Sequence, residues 1–343
     1  MKSVVTMMGW GGVLGALFLT GCSGPVEATT EEPAAGAPDV FELFENTNRR
    51  LVSDSADGES AEKLLLDDRL DASGKVRVRV YECSAYGQVL EVRCGVDPDE
   101  VLVGGGAWAD YGPPPLSWGA LLVASAPLDA NLETWVGKSK DHMAANHHTL
   151  HTYAVGMKLT GVTRATLLGT TSANAPKYIV YREMTSGSDP HPSVDAPLPG
   201  GYQVLGGGGL VNYSGCNGVM LTASYRSSGT KWFASAKDHE SPCSGTISAR
   251  VIGVTTGTIP GFGQLLTQQR SASIFSNSGV GTISKNQTSG WATVCAGGAT
   301  DGNRLLFQMS PTDNDNFRTG SKDHITPAAG ATFTYVMEVK KKP

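Results

Sequence analysis

Trp135-Val-Gly-Lys-Ser-Lys140-Asp141-His142 recurs twice more in this chain, as Trp232-Phe-Ala-Ser-Ala-Lys237-Asp238-His239 and as Phe317-Arg-Thr-Gly-Ser-Lys322-Asp323-His324. An aromatic residue, four positions and then Lys-Asp-His is too long a match to arise three times by chance. The chain is therefore built of repeats. The flanking sequence keeps the same frame. Tyr153, Arg250 and Tyr335 each lie twelve residues past the motif aspartate. They open strand-like runs, Tyr153-Ala-Val-Gly-Met157, Arg250-Val-Ile-Gly-Val254 and Tyr335-Val-Met-Glu-Val339. Upstream of each motif an apolar run ends in glycines: Val101-Leu-Val-Gly104-Gly-Gly106, Val204-Leu-Gly206-Gly-Gly-Gly209 and Thr293-Val-Cys-Ala-Gly297-Gly298. Glycines at the end of a β-run predict a bulge or a close approach of backbones. Next, Leu121-Leu-Val-Ala-Ser125, Met220-Leu-Thr-Ala-Ser224 and Leu306-Phe-Gln-Met-Ser310 align as a strand ending in serine.

Successive motif aspartates are 97 and 85 residues apart, and loops such as Pro113-Pro-Pro115 absorb the difference. Strands that keep register while loops drift are what duplicated modules show. Val76-Arg-Val-Arg-Val-Tyr81 alternates strictly, Tyr178-Ile-Val-Tyr181 opens the second repeat, and Gln264-Leu-Leu-Thr267 opens the third. The chain has 43 glycines and only 17% charged residues, which suits turn-rich β structure. The expectation is an all-β protein of three tandem homologous antiparallel β-sandwich modules, 76–161, 176–257 and 262–343, each of about five or six strands. They could pack with pseudo-threefold symmetry or stand as beads on a string.

Residues 1–21 read as a targeting segment: Lys2, an apolar run from Trp10 to Thr20, then Leu19-Thr20-Gly21-Cys22. The last four residues resemble the lipobox of bacterial lipoprotein signal peptides. The resemblance implies that Cys22 is lipidated and anchors the protein in the bacterial cell envelope. Ser23 at the next position favours the outer membrane. Residues 22–75 are acidic and linker-like around Glu31-Glu32-Pro33, which predicts a flexible tether. Within it, Val40 to Leu51 and Ala61 to Leu70 have the apolar spacing of short amphipathic helices. Net charge is −5, and no Lys/Arg block precedes Lys340-Lys341-Lys342, which argues against a nucleic-acid partner.

In an exported protein the cysteines can be oxidised. Cys83 and Cys94 flank a hairpin, and Cys216 and Cys243 sit in loops at one end of the second module, so both pairs are predicted disulfides. Cys295 remains, in a strand, as a buried thiol. No Cys-x-x-Cys occurs, so a structural zinc site of that kind is not expected.

Strand alternation divides the motif between two faces. Trp135, Gly137, Ser139 and Asp141 share one face, as do Trp232 to Asp238 and Phe317 to Asp323 at the same spacing. Lys140, His142, Lys237, His239, Lys322 and His324 lie on the other. Three uses are open. Asp141, Asp238 and Asp323 could pin the following turn by accepting its amides. His142, His239 and His324 could converge on one metal ion if the modules surround an axis. Or each copy could line a ligand pocket, its Lys and His beside Trp135 or Trp232, a mixture that suits a sugar. His147 and His151 also share a face, although a polar loop running into an exposed strand is the plainer reading.

The order of strand, short turn, aromatic-led strand with an Asp, and final aromatic-aliphatic strand resembles H-type lectins. The resemblance implies small β-sandwich modules that associate in threes and bind sugars, and no binding residue is carried over from it. The chain has no Gly-x-Ser-x-Gly, no His-Glu-x-x-His and no phosphate loop. No cofactor is implied. The sequence points to an envelope-anchored binding or adhesion protein with carbohydrate as the favoured ligand. The alternative is a structural envelope protein whose repeats mediate protein assembly.

Overall fold

The alternation from Val76 forms a strand, and each repeat forms six. The computed structural model describes residues 50–51, 63–112, 119–312 and 316–343. The lipobox, Cys22, most of the tether and Pro113-Pro-Pro115 lie outside them. Two strands precede the repeats, β1 (Arg50–Leu51) and β2 (Leu64–Leu70). The first module holds β3 (Val76–Gly87), β4 (Val89–Gly95), β5 (Val101–Asp110), β6 (Leu121–Pro127), β7 (Thr134–Lys140) and β8 (His148–Leu159). A short helix, α1 (Arg164–Leu168), leads to the second. Its strands are β9 (Ile179–Thr185), β10 (Ser193–Pro197), β11 (Tyr202–Tyr213), β12 (Val219–Ser228), β13 (Lys231–Asp238) and β14 (Gly245–Thr255). The third holds β15 (Leu265–Ser276), β16 (Val280–Asn286), β17 (Ala292–Thr300), β18 (Leu305–Pro311), β19 (Asn316–Lys322) and β20 (Gly330–Lys341).

Each module is a sandwich of two three-stranded halves, and each half continues into a neighbour's. Strand β6 pairs with β11, β12 with β17, and β18 with β5. The chain thus makes three antiparallel sheets, each shared by two modules. The pairing runs from module one to two, two to three, and three back to one. A head-to-tail contact that closes after three steps is a ring, here formed inside a single chain. Trp135, Trp232 and Phe317 accordingly belong to one continuous core.

The glycine runs explain how three modules fit around one axis. Each run contains a bulge, between Leu102 and Gly104, Val204 and Gly206, and Thr293 and Cys295. Gly104, Gly206 and Cys295 are therefore counterparts. A Cβ on Gly104 would lie 2.0 Å from the Val294 carbonyl oxygen, and one on Gly206 2.1 Å from that of Val103. Three backbones meet here with room for one side chain, and Cys295 supplies it. Its thiol is fully buried, and burial pushes it up to about 11.

The next position shows the same economy of space. A Cβ on Gly105 would strike the Trp135 indole at 2.4 Å, and one on Gly207 the Trp232 indole at 2.6 Å. The third module has Ala296 there, and its aromatic is the smaller Phe317. Trp135 Nε1 donates to Ser125 Oγ (3.1 Å) and Trp232 Nε1 to Ser224 Oγ (2.9 Å). Register corrects the sequence alignment at this point. Leu122, Leu221 and Leu306 face Ser139, Ala236 and Ser321, and each strand then bulges. Met309, not Ser310, is thus the counterpart of Ser125 and Ser224. A phenylalanine has no N–H to satisfy, so the third module needs no serine there.

The described part of the stretch Ala61 to Leu70 is not a helix. Leu64–Leu70 is a strand that pairs with β3. The open edge of β3 offers unpaired amides and carbonyls, and the triple-leucine stretch satisfies them while Asp68 pairs with Arg77 and Arg79. Of Val40 to Leu51 only Arg50 and Leu51 are described, as strand. Both disulfides form, Cys83–Cys94 and Cys216–Cys243.

Candidate functional site

The three Lys-Asp-His motifs end at one place. The ring centroids of His142, His239 and His324 lie 6.0, 5.2 and 5.5 Å apart pairwise. All three are buried, at 0%, 6% and 2% exposure. Alternation assigned them to the second face correctly, but what lies beyond that face is the next module rather than solvent.

Convergence does not produce a metal site. His142 Nε2 donates 2.7 Å to the carbonyl of His239, and His239 Nε2 donates 2.7 Å to that of His324. The third link is looser: neither buried ring nitrogen of His324 has full hydrogen-bond geometry, although the His142 backbone beside it still favours its protonated form. Among the described residues no group of three or more His, Cys, Asp or Glu could hold a metal ion. Burial, with His142, His239 and Lys322 nearby, pushes His324 down to about 4, and burial also lowers His142. Burial therefore disfavours the charged form at His142 and His324.

Each motif histidine opens a three-residue turn. The amides of Ala144, Ser241 and Thr326 donate to the carbonyls of His142, His239 and His324 at 2.6, 2.7 and 2.7 Å. The residues between, Met143, Glu240 and Ile325, have φ of 56°, 58° and 65°. Such γ-turns are rare and strained, most of all at a β-branched isoleucine. The histidine carbonyls of His239 and His324 accept the neighbour's ring at the same time, which fixes those turns.

The lysines follow the same cyclic order. Lys140 reaches the Asn217 carbonyl and the Tyr213 ring of module two. Lys237 donates 2.8 Å to the Gly302 carbonyl of module three. Lys322 lies 3.7 Å over the Tyr111 ring of module one, fully buried, where burial pushes it down to about 7. The aspartates behave as turn pins in two copies: Asp238 accepts from the Cys243 amide at 3.1 Å, and Asp323 from the amides of Gly279 (2.8 Å) and Ala328 (3.3 Å). Trp135 and Trp232 are 1% and 0% exposed, which removes them as ligand contacts. A large aromatic leads each motif strand because it fills the core.

Accessible chemistry lies instead on the outer faces of the sheets. On the first module Trp108 is half-buried and stacks on His151 with centroids 5.0 Å apart. His151 also stacks on Tyr153 (6.5 Å), and its Nδ1 lies 2.5 Å from Glu82 Oε1, both partners being buried beneath it. Its Nε2 has no hydrogen-bond partner among the described residues. At the corresponding outer face of the third module Tyr335 stacks on Tyr225 at 4.6 Å, whereas on the second Arg250 bonds the Pro127 and Leu128 carbonyls. The shared register of Tyr153, Arg250 and Tyr335 marked this row in the sequence. Trp108 was missed because it stands just past a glycine run, which was read as a bulge or a close approach of backbones. His147 stacks on Tyr86, apart from the His151 group, and His148 is buried against Ser139.

No protein-family model matches this chain, and no curated protein is significantly similar to it in sequence.

Proposed function

We propose that this is a binding or adhesion protein, tethered to the bacterial envelope through a lipidated Cys22, with carbohydrate as its ligand class. The observation that supports it is the partly exposed Trp108–His151 pair, backed by the buried Tyr153 and Glu82. The half-buried Trp108 indole offers the uncovered part of its face to a sugar, and His151 Nε2 offers a hydrogen bond at its rim. The Lys-Asp-His copies hold the scaffold together and take no part in recognition. A glycan array with the full chain tests this: binding is expected, and it is lost in Trp108→Ala and in His151→Ala while both variants melt like the parent. Binding that survives both substitutions contradicts the assignment.

One observation favours the alternative of protein assembly. Tyr86 and Val89, Phe275 and Val280, and the turn residues Met143 and Ile325 are all exposed. Val89 pairs with Lys140 and Val280 with Lys322, so these apolar residues sit at the histidine end of the ring. A silent glycan array together with an envelope protein that co-purifies with the parent, but not with a Tyr86→Ser/Phe275→Ser variant, selects that reading.

A further inference from the structure

We infer that the cavity between the first two modules is a site for the carboxylate of an acidic sugar. This rests on the carbohydrate reading and adds a second, separate contact to it. The cavity, about 440 Å³, is in the range of small-molecule sites. Three segments distant in sequence line it: the β6–β7 turn at 130–133, the α1 linker, and edge strand β9 from Ile179 to Arg182. Leu132 and Ile179, each 1% exposed, give it an apolar wall.

The charged groups of its lining are Arg164, Lys177, Arg182 and Glu133, with Asp129 and the Arg250-paired Glu183 beside Tyr181. With Glu183 neutralised by Arg250, three lining cations face Glu133 and Asp129, a small local excess in a chain of net charge −5. Arg164 is committed: it contacts the Asn131 carbonyl and lies 3.0 Å from Glu133 Oε1. Glu133 is 58% exposed, so that pair is weak, and it shows that the cavity wall accepts a carboxylate. Arg164 Nε is buried without a partner. Lys177 and Arg182 are exposed, and their side chains make no hydrogen bond or ion pair among the described residues. A planar guanidinium takes a carboxylate in a two-point fork, and the lysine adds a point charge. Tyr181 also lines the cavity, its hydroxyl donating to Glu183 at 2.9 Å, and burial holds the phenol protonated. Ring, apolar wall and cationic mouth together suit a uronic acid, and a neutral sugar leaves Lys177 and Arg182 unmatched.

Calorimetric titration of the full chain with galacturonate, galactose and inorganic phosphate tests the site. Galacturonate is expected to bind at least about tenfold more tightly than galactose, with a further loss of about tenfold in Lys177→Ala and in Arg182→Ala. Met143→Ala, at the other end of β7, leaves binding unchanged. Equal affinity for the two sugars, indifference to the two substitutions, or phosphate binding as tight as galacturonate would each overturn the inference. Neutral-glycan binding that depends on Trp108, with no galacturonate response, sinks this site and leaves the carbohydrate reading standing. Absence of any glycan binding sinks both.

Discussion

The first two modules and the third solve one packing problem with different residues. Modules one and two place a tryptophan over a glycine and give its indole N–H a serine: Trp135, Gly105 and Ser125, then Trp232, Gly207 and Ser224. Module three has Phe317, Ala296 and Met309 at the same three positions. Ring size, Cβ and hydrogen-bond acceptor change together. At the axis the division is different again, because two glycines make room for one cysteine. The repeats are thus equivalent as positions in a ring and unequal as residues. Symmetry is retained where strands pair, and broken wherever three copies compete for one space.

The largest effect should come from disturbing the axis. Gly104→Ala or Gly206→Ala drives a Cβ into a neighbouring module's backbone carbonyl, which cannot move without separating the sheets. Neither variant should yield soluble folded protein. Cys295→Ala, at the counterpart position, should fold and melt within a few degrees of the parent, since it only removes one buried sulfur. Thermal melts of the three variants make the comparison.

The next largest concerns the exchange of residue sets. Ser224→Met alone leaves the buried Trp232 N–H without an acceptor and adds bulk, at a cost of about 2 kcal/mol or more. Gly207→Ala alone meets the indole at 2.6 Å and the Arg250 carbonyl oxygen at 2.4 Å. The triple variant Gly207→Ala/Ser224→Met/Trp232→Phe installs the third module's set in the second. It should be clearly more stable than the sum of its parts, because contacting residues couple. Strict additivity in denaturant unfolding would break the comparison.

Acidification gives an effect of similar or smaller size. His324 has an ordinary value of 6.5 and is pushed down to about 4 in the fold. Above 6.5 both folded and unfolded states are neutral there. Between 6.5 and 4 only the unfolded state takes the proton, so stability falls as pH falls, by up to about 3 kcal/mol. His142 and His148, also lowered by burial, act with the same sign. The melting temperature should therefore drop between pH 7.5 and 5, and His324→Asn should flatten that slope. The smallest effect is expected at the strained turns. Ile325→Gly relieves a positive φ and should stabilise by about 1 kcal/mol in denaturant titration.

Much of the fold was legible in the sequence. The spacing from Lys-Asp-His to the aromatic or Arg strand set the repeat frame, Val76 to Tyr81 set the strand period, and both disulfides followed from loop positions. Alternation also separated the two faces of the motif. It could not show that the second face meets another module, since that depends on β6, β12 and β18 pairing across modules. The strand at Leu64–Leu70 was hidden for a related reason: its partner edge on β3 decides its form, and its own spacing suits a helix. The one-residue slip at Met309 came from following serine, when the serine answers an indole that Phe317 does not have. The outer platform around Trp108 and His151 carried only a faint trace, in the shared register of Tyr153, Arg250 and Tyr335.

The central claim is that three modules close into one ring with a common core. Differential scanning calorimetry of the disulfide-intact chain tests it most directly. One cooperative transition, with calorimetric and van't Hoff enthalpies equal, is the expected result. Two or three separable transitions, each of single-module size, would contradict the ring and restore independent modules on a string.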